Sequence, residues 1–197
     1  MVTASFKILI DSSSLISAPT VLAPAILKKY FLLSFFIPKH MQPLPVSSIA
    51  TNKENWIIWK EQNIKNYKNG KIIPYYGILD TQIICEATAI ISSDIVQNSN
   101  KLVDDTTAYL TAFRTNKEYE GKGYFSKLYK FMEEDLKNKG YTVLTLGVEP
   151  EETRNKEIYK HYGFIEHIKN DKEIYPDGTE IDVEYYRKEL AERRYIK

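Results

Sequence analysis

The feature that most constrains this chain is a pair of glycines, Gly121 and Gly123, set between a strand-like run over Thr107–Arg114 and a helix-like run over Tyr124–Asn138. Glycines at such a turn let the backbone fold tightly and bring its N–H groups close to a ligand. The positive end of the following helix dipole favours negative charge at the same place. The order strand, glycine loop, helix therefore predicts a binding site for a phosphate or a pyrophosphate.

Two common phosphate-binding motifs do not fit this loop. A Walker A loop requires G-x-x-x-x-G-K-[ST], which Gly121-Lys122-Gly123 does not supply. The dinucleotide fingerprint G-x-G-x-x-G fails at its third glycine, where Ser126 stands, and no acidic residue closes a following strand at the required distance. A third motif must therefore explain the loop.

The segment Glu120–Phe125 resembles motif A of the GNAT superfamily of acetyl-CoA-dependent N-acetyltransferases, whose signature is [QR]-x-x-G-x-[GA]. Gly123 falls on the central glycine, and Gly121 on a position that is often also glycine. Two residues depart from the signature, since Glu120 replaces Gln or Arg and Phe125 replaces a small residue. The resemblance implies that main-chain N–H groups bind the pyrophosphate of acetyl-CoA. The coenzyme-binding residues that it implies are Glu120, Gly121, Lys122, Gly123, Tyr124, Phe125 and Ser126.

A second match lies downstream, where Gly147–Phe164 resembles motif B of the same family. A predicted strand over Val143–Val148 leads into a short helix that carries Tyr159 and ends at Gly163-Phe164. Gly163 suits a helix C-cap with positive φ, and Phe164 suits the hydrophobic contact behind it. The two motifs stand in the family's order and separation, which is more specific than either motif alone.

Within this second motif, the resemblance names Tyr159 as a coenzyme contact and as the proton donor to the departing thiolate. A phenol of ordinary pKa ~10 can hydrogen-bond or protonate a thiolate of pKa ~8.5. The alternative is a core tyrosine that packs the helix on the sheet, and Tyr162 is close enough to be confused with it. Asn155 is a further implied coenzyme contact, while Glu152 stands where many members carry an asparagine.

Acetyl transfer also requires a donor to the carbonyl oxygen, which becomes negative in the transition state. The resemblance implies a main-chain N–H at the end of the strand before motif A, which here is that of Phe113, Arg114 or Thr115. A prepositioned donor of this kind can contribute ~3 kcal/mol to the stability of the transition state.

Several candidates remain open for the general base. Glu149 follows a predicted central strand, and Glu86 is a lone acid within the apolar run Ile83–Ile91. A carboxylate among apolar neighbours has a raised pKa, which suits a base. Glu86 could equally pair with a lysine or face solvent. Water relays serve as the base in many relatives, and His161 is interpreted as a surface residue.

Length and charge limit the possible partners. At 197 residues, the chain is expected to form a single domain over residues 1–197. Its 27 basic and 26 acidic residues nearly cancel, which argues against nucleic acid or an anionic membrane as partner and favours a small molecule. The single cysteine, Cys85, excludes a disulfide framework and a cysteine-based metal site, and no metal is expected.

The apolar N-terminal region, Leu15–Pro38, does not predict a membrane span. Lys28 and Lys29 interrupt it before it reaches the ~18 to 20 apolar residues that a span requires. Asp11 and the neighbouring serines also argue against a secretory signal peptide. The expected location is therefore the cytoplasm.

Hydrophobic periodicity and turn residues predict an alternation of strands and helices. Strands are predicted over Phe6–Ile10, Ile72–Leu79, Gln82–Ile91, Thr107–Arg114, Val143–Val148, Phe164–Ile168 and Ile181–Lys188. Helices are predicted over Val21–Phe36, between a cap at Thr51 and a stop at Gly70, over Tyr124–Asn138 and within the second motif. The expected fold class is α/β, with a mostly antiparallel central sheet, one parallel strand-helix-strand crossover and helices on both faces, as in the GNAT fold.

Two functions remain in view. The first is an N-acetyltransferase that passes the acetyl group of acetyl-CoA directly to a primary amine of a small molecule or peptide, in a ternary complex. The second is a noncatalytic acyl-CoA-binding regulatory module with the same fold. A homodimer is open for either. No motif marks the acceptor pocket, where Trp56, Trp59, Tyr75 and Tyr76 either line the pocket or pack in the core.

Overall fold

The computed structural model describes residues 6–9, 53–80 and 82–190. The helix predicted over Val21–Phe36 and the cap predicted at Thr51 lie outside these residues, as does the side chain of Trp56.

Seven strands and three helices are found in this part of the chain. In chain order they are β1 (Phe6–Leu9), α1 (Lys53–Lys68), β2 (Ile72–Leu79), β3 (Gln82–Ile90), β4 (Thr107–Thr115), α2 (Tyr124–Asn138), β5 (Val143–Val148), α3 (Thr153–His161), β6 (Glu166–Ile174) and β7 (Glu180–Glu189). The bounds of α2 and β5 are those predicted. Short 3-10 turns occupy Ser93–Ile95 and Lys117–Tyr119.

The strands form one sheet in the order β1-β2-β3-β4-β5-β7-β6. Every neighbouring pair is antiparallel except β4 and β5, which run parallel and are connected through α2. A parallel pair requires a crossover of this length, whereas β2–β3 and β6–β7 are joined as hairpins. The predicted mixed sheet with a single parallel crossover is therefore confirmed.

One face of the sheet is covered by α2 and α3. Leu128, Met132 and Leu136 recur every four residues along α2 and are fully buried, as the apolar stripe of an amphipathic helix requires. Their partners in the sheet are Ile84, Ala87, Ala89, Ala108, Leu110, Leu144 and Leu146. Burial of each large side chain contributes ~2 kcal/mol, and this packing fixes the N-terminus of α2 beside the end of β4.

The opposite face carries a second apolar cluster and contacts α1. The cluster consists of Leu102, Val103, Tyr109, Ile181, Val183 and Tyr185, with Tyr175 packed against it. Trp59 of α1 meets Tyr175 edge to face, with ring centroids 5.0 Å apart. The amide of Asn55 donates to Asp177 at 2.9 Å and accepts from the Asp177 N–H at 3.0 Å. Helices thus lie on both faces of the sheet, as predicted.

The outer edge of β6 is covered by side chains of the loop that follows β3. Gln97 donates to the Ile174 carbonyl at 2.8 Å and accepts from the Ile174 N–H at 2.9 Å. Asn98 adds a contact to the Lys172 carbonyl at 3.4 Å. Amide side chains therefore satisfy main-chain groups that a sheet edge ordinarily leaves to solvent.

Within the described ranges, no helix has both the length and the apolar character needed to cross a membrane.

Candidate active site

The parallel strands β4 and β5 pair over only part of their length. Thr107–Leu110 pairs with Val143–Leu146, and no pairing between the two strands continues beyond Leu110. A bulge begins there, because Ala112 and Phe113 together stand opposite Ala87 of β3. Ala112 has a φ of +56°, in the left-handed region, and bulges bend the strand that carries them. The carboxyl-terminal halves of β4 and β5 consequently diverge and open a cleft.

The glycine loop follows β4 directly. The side chain of Asn116 accepts a hydrogen bond from the Glu118 N–H at 3.3 Å and so caps the turn over Lys117–Tyr119. Gly121 and Gly123 follow with φ values of +69° and +77°, which favour glycine. A Cβ added at either glycine would meet no atom within 4 Å. The space beside the loop is therefore open to a ligand.

The main-chain N–H groups of the loop are available to a ligand. Gly123 is the N-cap of α2, and the first N–H groups of a helix have no acceptor within it. Among the described residues, the N–H groups of Gly121, Lys122 and Gly123 have no main-chain acceptor. Unpaired N–H groups at the positive end of a helix are a suitable site for a phosphate, so these residues fit the pyrophosphate of a coenzyme.

Charged side chains border the loop. The Glu120 carboxylate pairs with Arg154 of α3 at 3.6 Å. The Lys122 ammonium lies over the Tyr119 ring at 5.5 Å, and that of Lys127 lies over the Tyr124 ring at 5.9 Å. The loop is thus linked to α3 by an ion pair and is flanked by two lysines.

Phe125 points into the molecule, away from the open side of the loop. Its ring lies 5.2 Å from that of Phe113 and 6.2 Å from that of Tyr162. The larger side chain at this position therefore fills the space between α2, α3 and β4 and leaves the main-chain donors uncovered.

Phe113 forms the centre of an aromatic wall in the cleft. Its ring meets those of Tyr129 at 6.2 Å and Tyr159 at 5.9 Å, both edge to face. Tyr162 stacks on Tyr129 at 4.1 Å, and its hydroxyl is 3.1 Å from that of Ser126. These contacts join the end of β4 to both helices of the two sequence motifs.

Tyr159 in α3 and Tyr162, the C-cap residue of that helix, differ in their contacts. Tyr162 is engaged with Ser126 and Tyr129, whereas the hydroxyl of Tyr159 has no hydrogen-bond partner among the described residues. Burial raises the pKa of Tyr159, and the charge of Glu152 raises it further. Tyr159 therefore stays protonated across the neutral range and is able to donate.

The other α3 residue predicted to contact coenzyme is held by the start of its own helix. The Asn155 amide donates to the Glu152 carboxylate at 2.8 Å. Since Glu152 is the N-cap residue of α3, this bond orders the first turn of the helix close to the cleft.

Glu86 and Arg114 form an ion pair of 2.8 Å between β3 and β4. Burial raises the pKa of Glu86, and the Arg114 guanidinium opposes this effect. The carboxylate is therefore engaged with an arginine. Thr115 lies beyond the bulge and pairs with Cys85.

Glu149 belongs to a group of acids and tyrosines on the face that contacts α1. Burial raises the pKa of Tyr175, and the negative charges of Glu149, Glu173, Glu152 and Asp177 raise it further. The charges of four carboxylates thus act on one tyrosine. Sequence analysis identified only Glu149 among these residues as a candidate.

Two further tyrosines converge on Glu173. The hydroxyls of Tyr109 and Tyr185 donate to its Oε1 at 3.4 and 2.8 Å. These residues come from β4, β6 and β7, and no local pattern in the sequence indicated that they meet. Of the aromatic residues proposed for an acceptor pocket, Trp59 contacts Tyr175 on this face. Tyr75 instead lies in the core, where it donates to Asp135 at 2.7 Å.

The described residues contain no group of three or more His, Cys, Asp or Glu side chains arranged to hold a metal ion.

A sequence model described as the Acetyltransferase (GNAT) family matches residues 49–164 of this chain. No curated protein sequence matches it at a significant level.

Solved structures of acetyltransferases share the fold. One is the ribosomal-protein-S18-alanine N-acetyltransferase from Escherichia coli, with a TM-score of 0.57 and 14% identity, covering 95% of this chain and 98% of that one. Another is an N-acetyltransferase from Staphylococcus aureus, with a TM-score of 0.54 and 14% identity, covering 94% of this chain and 99% of that one. A third is a GNAT family acetyltransferase from Elizabethkingia anophelis with acetyl-CoA bound. Its TM-score is 0.50 and its identity 19%, and the match covers 66% of this chain and 83% of that one. At these identities the likeness establishes the fold.

Proposed function

Because this chain belongs to the acetyltransferase (GNAT) family, we propose that it is an N-acetyltransferase that passes the acetyl group of acetyl-CoA directly to a primary amine within a ternary complex. The observation that carries this proposal is the glycine loop at the N-terminus of α2. Its two positive-φ glycines, its unpaired N–H groups and the open space beside them suit a pyrophosphate.

Acetyl-CoA supplies an activated thioester, and the transfer forms a C–N bond as the C–S bond breaks. The chain must then stabilise the carbonyl oxygen, accept a proton from the amine and donate one to the departing sulfur. We assign the first role to a main-chain N–H at the bulge of β4. Phe113 is favoured because it lies in the bulge opposite Ala87, whereas Arg114 and Thr115 stand in regular register with Glu86 and Cys85 of β3.

Tyr159 is the proposed proton donor. Its ring contacts Phe113 in the cleft, its hydroxyl has no partner among the described residues, and its raised pKa keeps the proton in place. Tyr162 is a poorer candidate because its hydroxyl is near Ser126 and its ring is stacked on Tyr129. These contacts support Tyr159 over Tyr162, which has the same chemistry.

Glu149 is the proposed general base, acting directly or through water. It directly follows β5, and its charge acts on Tyr175. The carboxylates around Tyr175 also give this face a negative charge, which favours the approach of a cationic amine.

The acceptor is proposed to be the primary amine of a small molecule or of a peptide N-terminus. The Escherichia coli structure of the same fold is a ribosomal-protein-S18-alanine N-acetyltransferase, so N-terminal peptides belong in an acceptor screen beside small amines.

Two measurements test this function. Acetyl-CoA at 100 times its dissociation constant should stabilise the fold by ~2.7 kcal/mol, seen as a rise in melting temperature. Incubation with acetyl-CoA and a panel of amines should release free thiol in proportion to acetylated product. Absence of a thermal shift at millimolar coenzyme would contradict the proposal. Binding without turnover on any amine would instead indicate a noncatalytic acyl-CoA-binding module.

A further inference from the structure

We propose that Arg154 is a coenzyme-binding residue, whose guanidinium donates to the pyrophosphate of acetyl-CoA while Glu120 holds it beside the glycine loop. This inference rests on the proposed function, because it concerns the same coenzyme site. It goes beyond the two sequence motifs, which assigned no role to Arg154.

The position of the ion pair is the first observation. Glu120 immediately precedes Gly121, and Arg154 lies in the first turn of α3. Nη2 of Arg154 is 3.6 Å from Oε2 of Glu120. The guanidinium is thus held by the residue that directly precedes the glycine loop, whose N–H groups have no main-chain acceptor among the described residues.

The second observation is the difference in exposure between the partners. The Arg154 side chain is 75% exposed, whereas that of Glu120 is 29% exposed. A guanidinium carries five N–H donors in a planar fork, and a single contact to Glu120 leaves most of them directed to solvent. These donors are available to a phosphate, which a guanidinium binds in a bidentate manner.

The third argument is electrostatic. A carboxylate next to a phosphate site opposes anion binding, and the Glu120 charge would do so if it stood alone. Pairing with Arg154 removes this repulsion, and the arginine keeps donors for the ligand. The neighbouring lysines do not fill this role in the same way, because the ammonium groups of Lys122 and Lys127 lie over the rings of Tyr119 and Tyr124.

Two roles for Arg154 are therefore distinguishable. If it only neutralises Glu120, its removal should matter only while that carboxylate is present. If it contacts the pyrophosphate, its removal should weaken binding whether or not residue 120 is charged. We infer the second role, and the two variants can be combined to test it.

The experiment is calorimetric titration of CoA and of dephospho-CoA, which lacks the 3′-phosphate, into the full chain. Arg154→Ala should raise the dissociation constants of both ligands about tenfold, as expected for a lost charge-assisted hydrogen bond. The loss should persist when Arg154→Ala is made in the Glu120→Gln background. Lys160→Ala is the matched control, since it removes one positive charge and an ion pair with Glu157 at the far end of the same helix. Lys160→Ala should change the dissociation constants of both ligands by no more than about twofold, because an exposed ion pair contributes little free energy.

Several outcomes would overturn the inference. Wild-type affinity in Arg154→Ala, or no loss in the Glu120→Gln background, would leave Arg154 without a ligand contact. A loss confined to CoA would assign the contact to the 3′-phosphate instead. If the wild-type chain binds neither ligand, the proposed function itself fails. If the wild type binds and the Arg154→Ala variant binds equally well, only the inference about Arg154 fails.

Discussion

Glu86 on β3 and Arg114 on β4 stand directly opposite each other in the sheet and form an ion pair of 2.8 Å. The Glu86 side chain is 11% exposed, whereas that of Arg114 is 35% exposed. The carboxylate therefore loses most of its hydration while its partner keeps contact with water. This asymmetry explains why burial outweighs the arginine and the pKa of Glu86 is raised.

The stability of the protein should consequently depend on pH through Glu86. A folded pKa above the ordinary value of 4.5 means that the folded state binds the proton more tightly. This contribution is complete below pH 4.5 and is lost as the pH rises through the folded pKa. Relative to Glu86→Gln, the wild type should therefore lose free energy of unfolding as the pH rises from 4 to 8. Urea titrations of both proteins measure the difference, and a gap that grows in favour of the wild type would show that Arg114 dominates.

Turnover should distinguish the two candidate bases. Glu149→Gln should lower kcat by a factor of ~10², within the usual range for general base catalysis, and remove the acidic limb of the pH–rate profile. Glu86→Gln is the matched control and should retain turnover within a few-fold. The reverse pattern would assign the base to Glu86. Full activity in both variants would leave proton transfer to a water relay.

Tyr159→Phe removes one hydroxyl that has no hydrogen-bond partner among the described residues, so the free energy of unfolding should hardly change. Loss of the proton donor should lower kcat by a factor of up to ~10², since a thiolate is already a fair leaving group.

Tyr162→Phe is the control for this change, with the opposite expectation. It removes the contact to Ser126 and should cost ~1 kcal/mol of stability with little effect on kcat. Chemical denaturation and steady-state kinetics separate the two effects. Equal kinetic losses in both variants would show that the donor is misassigned.

Gly123→Val should weaken coenzyme binding by more than tenfold. Its φ of +77° is a conformation that a β-branched residue rarely adopts, and the new side chain would occupy the space beside the loop. The strain alone should cost ~1 to 2 kcal/mol of stability. Gly140→Val is the control, because Gly140 has a φ of +97° and open surroundings at the other end of α2. We expect both variants to lose similar stability, whereas only Gly123→Val should lose coenzyme affinity. Normal coenzyme binding by Gly123→Val would exclude the loop as the phosphate site.

Elements with a strong local pattern were predictable from the sequence. The bounds of α2 follow from its regular apolar stripe and from the glycines that flank it, and both ends agree with the prediction. The strand predicted over Phe164–Ile168 was placed too early and made too short, since β6 spans Glu166–Ile174. Its sequence is rich in charged residues because it lies at the sheet edge, so it lacks the apolar run that marks an inner strand.

The site was only partly predictable for a related reason. The glycine loop has a local signature, but the bulge at Ala112 does not, because positive φ at an alanine leaves no trace in the sequence. For Glu86 the sequence left a catalytic role, a lysine partner and exposure to solvent open, and the structure pairs it with Arg114, 28 residues away. The convergence of Tyr109 and Tyr185 on Glu173 depends on the register of three strands, which residue patterns do not encode.

The contact between Gln97 and Ile174 has a consequence for assembly. A primary amide that both donates to and accepts from one residue reproduces the pair of hydrogen bonds that an added strand would form. An incoming strand from another molecule would first have to displace Gln97, and it would then face the alternating charges of Lys172 and Glu173. This end of the β6 edge is thereby protected against intermolecular strand addition and the aggregation that follows from it.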